Sequence, residues 1–262
     1  MTSFDLRHTV LDECKKYDFS SDIRQVFTSL KDNALVVNAL KIKSNEYQNS
    51  GSNLLYDLVL YAYLSQGKFF FPTFKYEVNS LVFDKNLPRL CLTLHSNFSP
   101  LMSALIKQKC LFAMVSDYPD VIKRVAFNTG IRSGKIDLIS GNEACLLRVK
   151  KLLKKNYLVN STIDFKTSIP GRYIFLSDSM LKLALFLRPI TLFGVNFVND
   201  FGELIFITKD IDLDNGLDEI KQDIMNFIST YKENTKYEFS KFDYLVNNVN
   251  LMKEHRSKLS TS

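Results

Sequence analysis

The hydrophobic pattern of this chain changes rhythm near residue 90. The first 80 or so residues read as mostly helical. Residues 53–66 (NLLYDLVLYAYLSQ) are apolar almost all round and are closed by Gly67, which predicts a buried helix. From residue 90 onward, short apolar runs alternate with helical stretches. The runs at 90–94 (LCLTL), 110–115 (CLFAMV), 136–139, 157–163 and 173–175 predict strands. A helix over 101–108 follows Ser99 as N-cap, with Pro100 at the first helical position. Helices are also predicted over 119–128, stopped before Gly130, and over 142–155, with Leu146, Val149 and Leu153 on one face.

Ser177 predicts the cap of a helix that runs to Leu187 and stops at Pro189. Residues 190–197 and 203–208 predict an antiparallel pair around Asn199-Asp200-Phe201-Gly202. Leu217, Ile220, Ile224, Phe227, Ile228 and Tyr231 form the stripe of a last amphipathic helix. The expected fold is α/β: a mixed, mostly parallel central sheet flanked by helices. One domain is expected over 1–262, with a mainly helical part at 1–85, an α/β core at 86–250 and a flexible tail at 251–262. In such sheets ligands bind outside the carboxyl ends of the strands. His95, Asp117 and Asp164 fall at such ends.

Charge changes this picture in one place. The chain carries 34 Lys+Arg against 28 Asp+Glu, a net +6. Residues 121–155 hold nine of the basic residues and two of the acids, which makes that stretch +7 and the rest of the chain −1. A confined excess argues against a generally cationic nucleic-acid coat. On the 142–155 helix, Arg148, Lys151 and Lys155 fall at i, i+3 and i+7. They form either a solvated face or a landing site for a strongly acidic partner; anionic lipid headgroups are a second candidate.

The four cysteines have no CxxC spacing and read as buried free thiols. The three histidines, His8, His95 and His255, are far apart, so no zinc site is expected. No phosphate-binding glycine loop and no G-x-S-x-G elbow occurs. The first residues carry acids where a signal peptide needs an apolar core. The longest apolar stretch, 180–198, contains Lys182, Arg188 and Pro189 and is too interrupted to span a bilayer. A cytoplasmic protein is expected, with peripheral membrane contact left open.

His95 sits where a buried strand runs into a helix start, a place suited to a general base. A structural histidine bonded to a loop carbonyl is the alternative. LTLHSNF around it, IKRVAFNTG, NSTID, FLSDSMLKLALFLRPITLFGVNF and KYEFSKFDYL occur in an order that resembles the lipid A lauroyl/myristoyl acyltransferases, over roughly 88–245. These belong to the glycerolipid and lysophospholipid acyltransferase superfamily.

The resemblance implies an α/β acyltransferase that moves a fatty acyl group from an acyl-carrier-protein or acyl-coenzyme A thioester to a hydroxyl or amine. No bound cofactor and no metal is implied, and nucleic acid is not an expected partner. His95 matches the histidine of the H-x-x-x-x-[DE] motif. The acid position is Pro100, which has no side-chain acceptor. Either Asp117 or Asp164 supports His95 instead, or the dyad is lost and the fold binds an acyl carrier or lipid without turnover. Arg124 matches an arginine that contacts donor or acceptor. Asn97, Arg132, Arg148, Lys151 and Lys155 complete the expected substrate- and carrier-binding set. Ser177 and Ser179 match hydroxyl positions of the family, and helix capping explains them better. The family's enzymes carry an N-terminal membrane anchor that this sequence does not show, so a soluble or carrier-presented acceptor is expected.

Overall fold

The computed structural model describes residues 3–17, 23–38, 59, 74–78, 80–94, 110–116, 136–141, 144–166, 173–198, 204–234 and 243–245. The helices expected over 101–108 and 119–128, nearly all of the one over 53–66, and the polar tail lie outside these residues.

The described N-terminal part is largely helical, as its pattern predicts. Helices α1 (Ser3–Cys14) and α2 (Ile23–Lys31) bury Val10, Cys14, Val26 and Leu30. The buried Glu13 carboxylate accepts from Asn33 Nδ2 at 2.8 Å and Lys16 Nζ at 2.6 Å, so it is not left uncompensated.

The centre of the protein is a seven-stranded sheet. Its strands are β1 (Phe74–Glu77), β2 (Arg89–Thr93), β3 (Phe112–Val115), β4 (Ile136–Ile139), β5 (Leu158–Thr162), β8 (Ile190–Val198) and β9 (Leu204–Asp210). The spatial order is β1-β9-β8-β2-β5-β3-β4. Strands β8, β2, β5, β3 and β4 run the same way. Strand β9 pairs antiparallel to β8, and β1 runs parallel to β9. The fold is therefore α/β with a mixed, mostly parallel sheet. A second sheet of three strands has β7 (Tyr173–Leu176) between β6 (Asp164–Lys166) and β10 (Asp243–Leu245). Pattern alone predicts neither β1 nor β6 nor β10, each of which has only three or four residues.

Central position explains the composition of β2 and β5. A strand with neighbours on both sides and both faces covered cannot show an apolar–polar alternation. All five residues of β2 are buried, as are the first four of β5. On one face, Leu90, Leu92, Leu94, Val159, Ile163, Phe193 and Val195 pack in one core with three helices. These are α3 (Cys145–Leu153), α4 (Asp178–Leu187) and α5 (Leu217–Asn234). The buried stripe of α3 is Cys145, Val149 and Leu153. Leu146, expected in that stripe, is 38% exposed instead. The helix is turned so that positions i, i+4 and i+8 face the sheet.

Helix α4 begins as predicted. Ser177 Oγ accepts from the Ser179 N–H at 3.4 Å, a weak cap bond. It ends at Arg188, which adopts a left-handed conformation, φ 52°. The apolar stretch 180–198 is thus a helix, a turn and a strand. No helix among the described residues is long and apolar enough to cross a membrane.

Gly194 in β8 shows how tightly the sheet packs. A Cβ there would stand 2.5 Å from Phe206 Cε2 and 2.7 Å from its Cζ. Phe206 is fully buried and has little room to move. Gly194→Val is expected to destabilise the protein by about 2–3 kcal/mol through overpacking. A urea-denaturation midpoint equal to that of the parent would contradict this.

Candidate functional site at the carboxyl ends of the central strands

Strands β2 and β5 are neighbours, yet their outgoing connections leave in opposite directions. From β2 the chain passes over β5 to β3; from β5 it passes over β2 to β8. In open α/β sheets ligands bind at such a reversal, outside the carboxyl ends of the two strands. The register brings Thr93 of β2 opposite Thr162 of β5.

Just beyond, the Ile163 N–H donates to the Thr93 carbonyl at 3.0 Å, and the Ser177 N–H donates to the Ile163 carbonyl at 2.5 Å. Residue 163 therefore ties the end of β2 to the start of α4. Asp164 follows at once, opens β6 opposite Leu176, and is only 5% exposed. A carboxylate this deeply buried needs partners, and it stands at the rim where residues 94 and 163 leave the sheet.

A polar cluster lies below this rim on the sheet face away from α3, α4 and α5. Asn160 Nδ2 donates to the Cys91 carbonyl at 3.2 Å and approaches Thr93 Oγ1 at 3.4 Å. Asn160 and Thr93 are both buried, and Ser161, also buried, points to the other face beside Leu92. Asn160 Oδ1 has no hydrogen-bond partner among the described residues. Leaving such an acceptor unmet costs about 1–3 kcal/mol, so apolar packing alone would not favour asparagine here. Burial pushes the Cys91 thiol up to about 12, with the Asn160 amide acting weakly against it. Cys91 is therefore a protonated core thiol at neutral pH and no nucleophile. All four cysteines are buried thiols outside any disulfide.

The residues expected from sequence divide as follows. Asp164 is at the rim, and His95 follows Leu94 in the chain but lies outside the described residues. Asn97, Pro100, Asp117, Arg124 and Arg132 also lie outside them. Arg148, Lys151 and Lys155 are all exposed. Helix α3 starts beside the carboxyl end of β4 and runs to the opposite end of the sheet. Arg148, in its first turn, reaches back weakly to the Leu138 carbonyl at 3.4 Å. Lys151 and Lys155 lie progressively farther from the rim, so the three cations do not converge on it.

Pattern alone does not single out Thr93 and Asn160. Their signal is present: N-S-T interrupts an apolar strand, and a buried strand that keeps polar groups needs a reason for them. Among the described residues no group of three His, Cys, Asp or Glu side chains could hold a metal ion. No family model matches this chain, and no curated protein matches it.

Proposed function

We propose that this protein is an acyltransferase that moves a fatty acyl group from an acyl-carrier-protein or acyl-coenzyme A thioester to a hydroxyl or amine. The observation that carries the reading is the buried Asp164 carboxylate at the β2/β5 switch point, beside the strand that leads into His95. The motif acid is replaced by Pro100. Asp164 supplies a carboxylate from the neighbouring strand instead, so the dyad is rebuilt across the sheet rather than within one loop. The likeness to the lipid A acyltransferases supports the same reaction.

In this mechanism His95 takes the proton of the acceptor O–H or N–H. The freed lone pair attacks the thioester carbonyl. The tetrahedral adduct collapses with cleavage of the C–S bond, and the thiolate takes the proton back from the imidazolium. Asp164 orients the imidazole and stabilises its charged form, as a buried carboxylate does in a triad. Arg148, exposed in the first turn of α3 beside the end of β4, is the described cation nearest the rim that could meet the donor. Lys151 and Lys155 are too far along α3 to belong to the donor site in this reading.

The test is a panel of acyl-carrier-protein and acyl-coenzyme A donors with hydroxyl and amine acceptors, read by mass spectrometry. Transfer is expected, and His95→Ala should lower it by about 10²–10⁴-fold. Turnover that survives this substitution would remove His95 as the base. Absence of transfer across the panel would leave a protein that binds an acyl carrier or lipid without turning it over.

A further inference from the structure

The outer face of α3 and α4 combines two features that folding does not require. Leu147 is 71% exposed and Phe186 is 72% exposed. Both are large apolar side chains, and single exposed ones are ordinary. These two sit on adjoining helices, and Lys150 Nζ stands 5.2 Å over the centre of the Phe186 ring, linking them. Counted from Leu147, residues 150, 151 and 154 fall at i+3, i+4 and i+7, one face of a helix. Lys151 and Lys154 are exposed.

The segment 145–153 contains no acid, and no ion pair involves Lys150, Lys151 or Lys154 among the described residues. The acid on α4, Asp178, is already engaged: Lys221 Nζ lies 2.7 Å away and Lys182 Nζ 3.3 Å away. Burial works to raise its carboxyl pKa, but these two ammoniums outweigh that and hold it below the usual carboxylate range. The patch is therefore cationic, apolar at its centre and, among the described residues, free of competing carboxylates.

We propose that this face docks on an anionic lipid bilayer. Leu147 and Phe186 enter the boundary between headgroups and acyl chains, while Lys150, Lys151 and Lys154 lie against headgroup phosphates. Charge complementarity selects an anionic surface. Side-chain chemistry selects a bilayer over a protein. Lysine is depleted from protein interfaces because its ammonium is strongly hydrated. At a bilayer the ammonium stays wet at headgroup level while its stem covers apolar surface. The inference does not depend on the acyl-transfer reading.

The experiment is co-sedimentation of the full chain with lipid vesicles. One set is pure phosphatidylcholine; the other contains about one-third phosphatidylserine, as in strongly anionic leaflets. Binding to the anionic set should exceed binding to the neutral set by at least about tenfold and fall with added salt. Replacing Lys150, Lys151 and Lys154 together by Glu should lower the partition coefficient by about 100-fold or more, at roughly fivefold or more per lysine. Leu147→Ser with Phe186→Ser should lower it by about tenfold or more at unchanged charge, since area is lost from the apolar contact. Circular dichroism checks that both variants fold. Equal binding to neutral and anionic vesicles, no binding to either, or folded patch variants that bind like the parent would each overturn the proposal. Capture of a soluble acidic protein by this face, without vesicle binding, would do so too.

Discussion

Asp164→Asn is expected to slow the proposed acyl transfer by about 10³–10⁴-fold while leaving the fold intact. The magnitude is that of losing the orienting carboxylate in a triad, where geometry survives but the imidazole loses its charge partner. Asparagine has nearly the same shape as aspartate, and the site is buried, so packing is kept. Loss of charge toward its buried partners is expected to cost about 1–3 kcal/mol, which leaves the variant folded.

The pH profile separates catalysis from structure. A carboxylate close to an imidazole favours its charged form and raises its pKa. Below that pKa the base is protonated and inactive. Removing the carboxylate should therefore move the acid limb of kcat/KM to lower pH. A residue with only a structural role would not move that limb. Full activity in Asp164→Asn, or a profile that keeps its acid limb, would detach Asp164 from His95.

Arg89→Ala is expected to cost about 3–5 kcal/mol of stability, a large share of the roughly 5–15 kcal/mol available to a domain. Arg89 is completely buried at the amino end of β2, opposite the proposed site. It does its work through carbonyls: Nη1 donates to Val82 O at 3.0 Å, and Nη2 donates to Asn156 O. It thereby joins the 3₁₀ turn Ser80–Phe83 to the left-handed Asn156 that ends the α3–β5 connection. Burial disfavours the guanidinium charge and lowers its pKa, opposed by Cys110 and Asp84, and Nε has no hydrogen-bond partner among the described residues.

Two effects therefore compete. Alanine relieves the desolvated charge, but it leaves two carbonyls without their donor and a cavity where the largest fully buried side chain stood. Lost buried hydrogen bonds cost about 1–3 kcal/mol each, and large-to-small cavities about 2–5 kcal/mol, so the losses win. Arg89→Met restores most of the packing and isolates the carbonyl contribution. Urea midpoints of all three proteins decide the matter: an alanine variant within about 1 kcal/mol of the parent would refute the clamp, and a methionine variant as stable as the parent would assign all of its value to packing.

Periodicity and capping residues were enough to place the elements of the core. The LCLTL run, the IDLI strand, the Ser177 cap and the antiparallel pair after Pro189 all stand where pattern puts them, because each depends on neighbours within a few residues. The phase of α3 needed more. The i, i+3, i+7 choice placed Leu146 inward, whereas the packing against the sheet selected Cys145 and left Leu146 and Leu147 outside. Sequence alone cannot choose between apolar sets one residue apart when both are present. The three short strands at β1, β6 and β10 follow the same logic: three or four residues carry no period, and their pairing partners lie far off in the chain.

For the candidate site, the chain on its own showed a histidine after a buried strand, acids at strand ends and a confined basic segment. Those are properties of residue type and local order, legible without knowing what lies opposite. That Asp164 stands beside the end of β2 follows only from strand order. The connection that carries β5 in between β2 and β3 makes Asp164 a neighbour of residues almost 70 positions earlier. The placement of the described lysines of the basic segment depended on packing in the same way. Its lysines run along α3 away from the rim, and only the packing of α3 beside α4 sets them around Leu147 and Phe186. Composition located the charge. Tertiary structure determined which way it faces, because a helix stripe acquires a direction only when its other side is buried.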